Sequence, residues 1–382
     1  MVNRRTFLKY GGAAGAFALA GCTGNNSGGS GGSDGGSSSG GSDSSGGSGS
    51  GGSDSTGTPT PSETTTAGSA KKQLTKLHML APEASLESVP YQYGAQNGSW
   101  EQHGIDLSVE LASFGKYTQQ VPQGLSNIGP TAVPPAITLA NKGASLTWLG
   151  QDLSLTNYML VKSDSGIKTP KDVKGKTLGI PFDSSTTTYA YQALMQDAYS
   201  FDIFKDPKNT KSAAPPVLWK LFQKGDLDAI IEFAGFSIKG QVADDVDVIF
   251  DPVSYWKKNY GTIPPLAVKV AKPSWVKTNA KLAANYVAGY NDALASFRDN
   301  VDDALGKYGE QVGLSSDAEI NVVKDRVKNK TQFAATDYTQ KQADSNWKFV
   351  TLMKDAGVFD TLPDKDTTLT TNDELQAMVG GN

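Results

Sequence analysis

The sequence predicts an α/β body of two lobes or two domains, carried behind an export signal and a polar tether. Three observations carry this. Short apolar runs of strand length alternate with amphipathic helical stretches through most of the chain, the pattern of a mainly parallel sheet covered by helices. Leu74 to Asn382 leaves about 310 residues, too many for one small core and suited to two. The stretch Gly175–Leu194, GKTLGIPFDSSTTTYAYQAL, reads as strand, tight connection and helix, the unit such a body repeats. Lys176–Pro181 is its strand. Ser184, Ser185 and Thr186 stand at the helix start, and Ala190, Leu194 and Ala198 share one helix face.

The chain opens with Arg4-Arg5-Thr6-Phe7-Leu8-Lys9, a twin-arginine pattern, followed by the weakly apolar run Gly11–Ala20 and then Leu19-Ala20-Gly21-Cys22. The run is too short to span a bilayer as a mature helix, so residues 1–22 read as an export signal ending in a lipobox. These residues resemble the signal peptides of Tat-exported lipoproteins, which implies lipidation at Cys22 and a membrane anchor. Cys22 is the only cysteine, so no intrachain disulfide and no cysteine metal site can form. Residues 23–73 are Gly, Ser and Asp with late Thr and Pro. They lack the apolar side chains that offset ordering entropy and read as a disordered tether. About fifty such residues reach roughly 40 Å.

The body follows in order. Lys76–Leu80 is a first strand, a helix runs through Tyr91 and Tyr93, and Ile105–Leu111 is a second strand. Phe114–Gly124 reads as a helix, Asn127–Gly129 as a third strand, and Pro134-Pro135 opens a helix, where proline is tolerated. Leu146–Gly150 and Tyr158–Lys162 are further strands. After the Ser/Thr helix, Phe204–Ala214 reads as a loop, Pro215–Lys224 as a helix, and Asp228–Phe233, Val246–Phe250 and Ile263–Val270 as strands. From Pro273 onward the pattern is helical, with Leu282, Tyr286, Ala293 and Phe297 on one face, and a Thr-rich tail closes the chain.

Composition excludes several classes. The net charge is −4, and only Arg298 and Arg326 remain as arginines once the signal is removed, so no nucleic-acid footprint exists. Two histidines, His78 and His103, give neither a nucleophile–base–acid set nor a metal set, so no catalytic residue and no cofactor is assigned. In parallel α/β sheets ligands bind beyond the carboxyl ends of strands, where helix N-termini converge. That rule singles out Glu83 and Ser85, Thr131, Asp152, the run Asp183, Ser184, Ser185 and Thr186, and Glu232. Tyr91 and Phe233 are the aromatic candidates beside them. The Ser/Thr run serves equally well as a helix cap.

Several stretches then line up with one family. GSWEQHGIDLSVEL, QGLSNIG, LVKSDSGIKTPKDVKGKTLGIPFDSST and LFQKGDLDAII resemble, in this order, segments of periplasmic solute-binding proteins of the nitrate/sulfonate/taurine and thiamine-pyrimidine group. Asn127 replaces the usual Asp, and Asp183-Ser184 stands where Gly-Ser is common. The resemblance covers most of Leu74–Asn300. It implies a two-lobe periplasmic-binding-protein fold of type II, the lobes joined by two crossing strands. Lobe one is placed at 74–162 and 262–382, and lobe two at 163–261, with crossing strands near Tyr158–Lys162 and Leu266–Val270. It further implies a monomer that captures a small-molecule solute between the lobes and delivers it to an ABC permease and its ATPase.

The candidate cleft residues offer hydroxyls and aromatics but no arginine. An oxyanion such as nitrate, taurine or a sulfonate would rest on helix N-termini. The acids Glu83, Asp152, Asp183 and Glu232 suit a planar heteroaromatic with N–H donors, such as a thiamine-type pyrimidine. Two other readings compete: a tethered sensor or surface adhesin, and an enzyme like the fungal-type pyrimidine synthase, whose cysteine-rich iron site this body lacks.

Overall fold

The structure is a computed structural model that describes residues 73–334 and 337–381. The expectations for the export signal, Cys22 and the tether lie outside the described residues.

The first strands are β1 (Thr75–Pro82) and β2 (Ile105–Ala112), paired in parallel across helix α1 (Ser88–Gln96). A second sheet holds β3 (Ile128–Ala132) and β4 (Thr147–Gln151) on either side of β10 (Ala267–Ala271), which runs antiparallel to both. Between β2 and β3 lies the short helix α2 (Phe114–Thr118); the longer helix expected to Gly124 gives way to turns before Pro122. The side chain of Gln120 joins β1 to β3. Its Oε1 accepts from Leu80 N at 2.8 Å, and its Nε2 donates to Leu80 O at 2.8 Å and Pro130 O at 2.9 Å. Pro130 has no N–H to offer a ladder, and the buried amide takes over that pairing. Helix α3 (Val133–Asn141) follows β3 with prolines in its first turn.

A five-stranded sheet comes from the middle of the chain, in the order β7-β6-β8-β5-β9. Its strands are β5 (Met159–Lys162), β6 (Thr177–Pro181), β7 (Asn209–Ala213), β8 (Ala229–Ile231) and β9 (Val246–Phe250). β6 is parallel to β7 and β8, whereas β5 is antiparallel to β8 and β9. One sheet is thus parallel, one antiparallel and one mixed, where the sequence predicts a mainly parallel arrangement. β5 and β10 are the strands reached directly after the chain passes from one set of sheets to the other, and each enters its new sheet reversed. β5 thus belongs with β6–β9, although the expected boundary at 162 places it in the first lobe. β7 reads as loop because its residues, NTKSA, are polar, as an edge strand allows.

Helices α4 (Thr186–Tyr199), α5 (Pro215–Gln223), α6 (Ala234–Gln241) and α7 (Pro252–Tyr260) surround the five-stranded sheet. After β10 come α8 (Pro273–Thr278), α9 (Ala280–Asp299), α10 (Val301–Tyr308), α11 (Asp317–Lys328), α12 (Gln340–Asp355), α13 (Lys365–Thr368) and α14 (Asn372–Gly380). The expected Thr-rich tail is helical at its end because Thr371 and Glu374 form a reciprocal capping box. Two large cores result. One packs Tyr91 of α1, Tyr286 and Phe297 of α9, and Trp100 from the turn before β2, beneath β1 and β2. The other packs Trp148, Tyr191, Trp256 and Phe349 among β4, α4, α7 and α12. No helix among the described residues is long and apolar enough to cross a membrane.

Candidate functional site

Two extended segments connect the two sets of sheets. Asp152–Tyr158 leads out of β4 into β5, and 261–266 leads back from α7 into β10. They lie side by side: Leu155 N donates to Pro264 O at 2.9 Å, Leu266 N donates to Leu153 O at 2.8 Å, and Ser154 bridges Pro265. The crossing therefore precedes both β5 and β10, a few residues earlier than the sequence places it.

Beside this crossing is a cavity of about 550 Å³. The loop after β1 contributes Glu83, Ser85 and Glu87, and α2 contributes Phe114 and Tyr117. Opposite them stand Phe182, Ser184, Ser185, Thr186 and Thr187 from the β6–α4 turn, and Phe233 and Gly235 after β8. Leu153 and Asn157 come from the crossing, Val312 and Leu314 from the loop between α10 and α11, and Gln332 from the loop after α11. The carboxyl ends of strands from both sets of sheets thus face one space, as the rule for open α/β sheets requires. Two of the four non-glycine residues with positive φ among those described, Ala84 at 51° and Phe182 at 40°, sit on these lining loops. That backbone is unfavourable for a side chain with Cβ and recurs at binding sites. At Phe182 it leaves the ring 49% exposed, as Phe114 is at 56%, so two aromatic faces stand open at the cavity.

Six of the residues expected from sequence line this space: Glu83, Ser85, Ser184, Ser185, Thr186 and Phe233. The Ser185 hydroxyl is committed locally. It accepts from Thr188 N at 3.1 Å and donates to Thr188 Oγ1 at 3.0 Å, so it caps α4. Asp183 is exposed on the same turn but is not a wall residue. Four others are buried behind the walls. Thr131 donates to Thr118 O at 3.4 Å. Tyr91 stacks near Trp100 and Tyr290 and donates to Asp152 Oδ1 at 3.1 Å. Asp152 also lies 3.7 Å from Lys269 Nζ, which sits 3.9 Å over the Tyr290 ring and donates to Gln151 O. Glu232 is fully buried with neither carboxyl oxygen hydrogen-bonded, and burial raises it to about 9. It holds its proton at neutral pH, and its neighbour Phe233 reaches the cavity instead.

The sequence reasoning missed the polar groups nearest the crossing. Glu87 is 4% exposed and accepts from Tyr117 Oη at 3.2 and 3.3 Å. Burial and then the Asp152 charge push its carboxyl well above the ordinary range, against the hydrogen bond from Tyr117 and the charge of Lys269. Burial lowers Lys269, and the Asp152 charge opposes it. Asn157 donates to Thr187 Oγ1, and its Oδ1 has no partner. Gln332 accepts from Thr156 Oγ1 at 3.3 Å, and its buried Nε2 has no partner. One signal was available: a lone lysine within the apolar strand AVKVA calls for a buried carboxylate partner. Nothing local marks Gln332, which reaches the site only by long-range folding.

Residues 86–238 match the NMT1/THI5-like family, and residues 1–21 match the twin-arginine translocation signal. A sequence comparison with curated proteins finds no match. Among solved structures, the chain is similar to the periplasmic aliphatic sulphonate binding protein SsuA from Escherichia coli, with TM-score 0.64 and 17% identity over 78% of this chain and 92% of that one. It is similar to a putative sulfonate ABC transporter periplasmic binding protein from Methylobacillus flagellatus, with TM-score 0.63 and 16% identity over 81% and 95%. It is also similar to the periplasmic nitrate-binding protein NrtA from Synechocystis, with TM-score 0.57 and 12% identity over 81% and 89%. At such identities the likeness is one of fold. The NMT1/THI5-like match spans less than half of the chain, residues 1–21 match a twin-arginine export signal, and the body has the two-lobe fold of the periplasmic binding proteins.

Proposed function

We propose that this protein is an extracytoplasmic solute-binding lipoprotein that captures a small molecule between two lobes and hands it to an ABC importer. The observation that carries the reading is the cavity itself. It lies where strand ends of both sets of sheets meet, beside a two-segment crossing that can act as a hinge. The sulfonate- and nitrate-binding proteins that share the fold support solute capture, and the twin-arginine signal supports a place outside the cytoplasm. In this reading the lobes divide within the crossing, at about 152–158 and 261–266. A lipid on Cys22 holds the monomer beside its permease and ATPase. The site is read as binding rather than catalytic, because no histidine or cysteine is among the residues that line it.

A thermal-shift screen of the mature chain tests this. The panel holds nitrate, bicarbonate, taurine, alkanesulfonates, thiamine, its pyrimidine precursors and riboflavin. A solute at 100 times its Kd stabilises by roughly 2.7 kcal/mol. Silence across the panel counts against solute capture and favours a surface role. The anchor is tested apart: Cys22→Ser should release the exported chain from the membrane fraction, and continued membrane retention would refute lipidation there.

A further inference from the structure

The cavity wall is chemically one-sided. Its residues include two carboxyl side chains, Glu83 and Glu87, and no lysine, arginine or histidine. Lys269 is buried behind the wall, held by Asp152 and the Gln151 carbonyl. An anionic solute would therefore meet hydroxyls and helix ends beside two acids, with no counter-charge in reach.

Behind Glu87 the charges balance only while one carboxyl keeps a proton. Glu87, Asp152 and Lys269 form one buried group. With both acids ionised it holds one more negative charge than positive. Tyr91 donates to Asp152 Oδ1, and Glu87, Lys269 and Tyr290 gather around the same carboxylate. The other groups that face Glu87 are neutral: Tyr117 from α2, and Tyr290 from α9, whose hydroxyl is turned toward Asp152. A positive charge brought against such a group can take the place of that proton, and Glu87 is the buried member that reaches the cavity wall. Elsewhere the wall combines apolar and aromatic side chains with the hydroxyls of the β6–α4 turn. The open faces of Phe114 and Phe182 favour a flat or alkyl body and reinforce a cation. Asn157 Oδ1, buried and unpartnered on the same wall, is a second acceptor for an N–H group.

We propose that the cavity selects an organic cation, an ammonium or amidinium group on an apolar body, with Glu87 as its counter-charge. This rests on the solute-capture reading and narrows its ligand class. Without the cation, burial and the Asp152 charge raise the Glu87 carboxyl well above its ordinary range and favour its protonated form. On binding, the proton leaves the carboxyl for solvent as the cationic nitrogen takes its place, so capture of one cation releases one proton. Affinity for a permanently charged cation then rises with pH, by up to tenfold per unit below the carboxyl's raised midpoint. A sulfonate or carboxylate would need Glu87 to keep its proton, and its affinity would fall as pH rises.

The test is calorimetric titration of the mature chain with benzamidine and phenethylammonium against benzenesulfonate and butanesulfonate, at pH 5.5, 6.5 and 7.5. The expected result is binding of the cations only, tightening with pH, with proton release seen as a heat that depends on the buffer's ionisation enthalpy. Glu87→Gln should weaken the cations at least tenfold and flatten the pH dependence, while Glu83→Gln changes little. If the Glu87→Gln variant does not fold, the wild-type slope decides: flat or falling affinity for cations overturns the proposal. Binding of the sulfonates with the cations silent also overturns it and leaves solute capture standing. Silence of these four probes and of the whole screening panel overturns both.

Discussion

Glu232 gives the sharpest stability prediction. It ends the central strand β8 with its side chain fully buried and both oxygens without a hydrogen-bond partner. Burial raises its folded-state pKa from 4.5 to about 9. In the unfolded chain it titrates near 4.3. Between those values the folded state binds one proton that the unfolded state has lost, so stability falls as pH rises through this window. The contribution is complete below the unfolded value and is lost progressively up to the folded one. The slope is about 1.4 kcal/mol per pH unit, so wild type should lose roughly 3 kcal/mol between pH 4.5 and 7 from this group alone. Glu232→Gln keeps the shape and cannot titrate. The variant's stability relative to wild type should therefore climb with pH, whatever fixed offset the amide introduces. Urea denaturation of both proteins at pH 5, 6, 7 and 8 measures that difference. A difference that stays constant across the series would refute the claim that Glu232 is buried without a partner.

The remaining predictions concern the frame of the site. Gln120→Leu removes the amide that joins β1 to β3 and leaves the buried N–H and C=O of Leu80 unpaired. At about 1–3 kcal/mol per buried group, chemical denaturation should show a loss of roughly 3 kcal/mol; a loss under 1 kcal/mol would mean the two sheets are joined by other means. Ser185→Ala removes the α4 cap at a cost of about 1 kcal/mol. Because that hydroxyl is committed to Thr188, the affinity for a bound solute should stay within twofold, and a tenfold loss in a binding assay would place the hydroxyl on the solute.

The alternation of strands and helices was legible because most elements bury one continuous apolar face. β9, read as Val246–Phe250, has those bounds in the structure. The β6–α4 unit was legible for the same reason, with Ser185 as its cap. Two kinds of feature escaped. Strand direction and the crossing depend on which distant segments pair, and a short apolar run such as Met159–Lys162 fits either sheet equally well. The site was half legible: the rule about strand ends found Glu83, Ser85 and the Ser184–Thr186 turn, all wall residues. It misplaced Asp152 and Glu232, because alternation along a strand end decides whether a side chain faces the space or lies behind it. It missed Glu87 and Gln332, because a loop after a strand and a loop beyond α11 carry no periodicity that says where they fold back.

One substitution tests the central claim most directly. Gly235 lines the cavity, and a Cβ added there would meet nothing within 4 Å, so a side chain can start from this position without a clash at its root. Gly235→Trp should therefore fill the space without disturbing the packed structure around it. The measurement is the affinity of any solute that the wild-type protein binds, read by titration on both proteins together with their melting temperatures. The account predicts an unchanged melting temperature for the free protein and at least a hundredfold loss of affinity. Equal affinity in a folded Gly235→Trp protein would show that the solute binds elsewhere, and that this cavity is not the capture site.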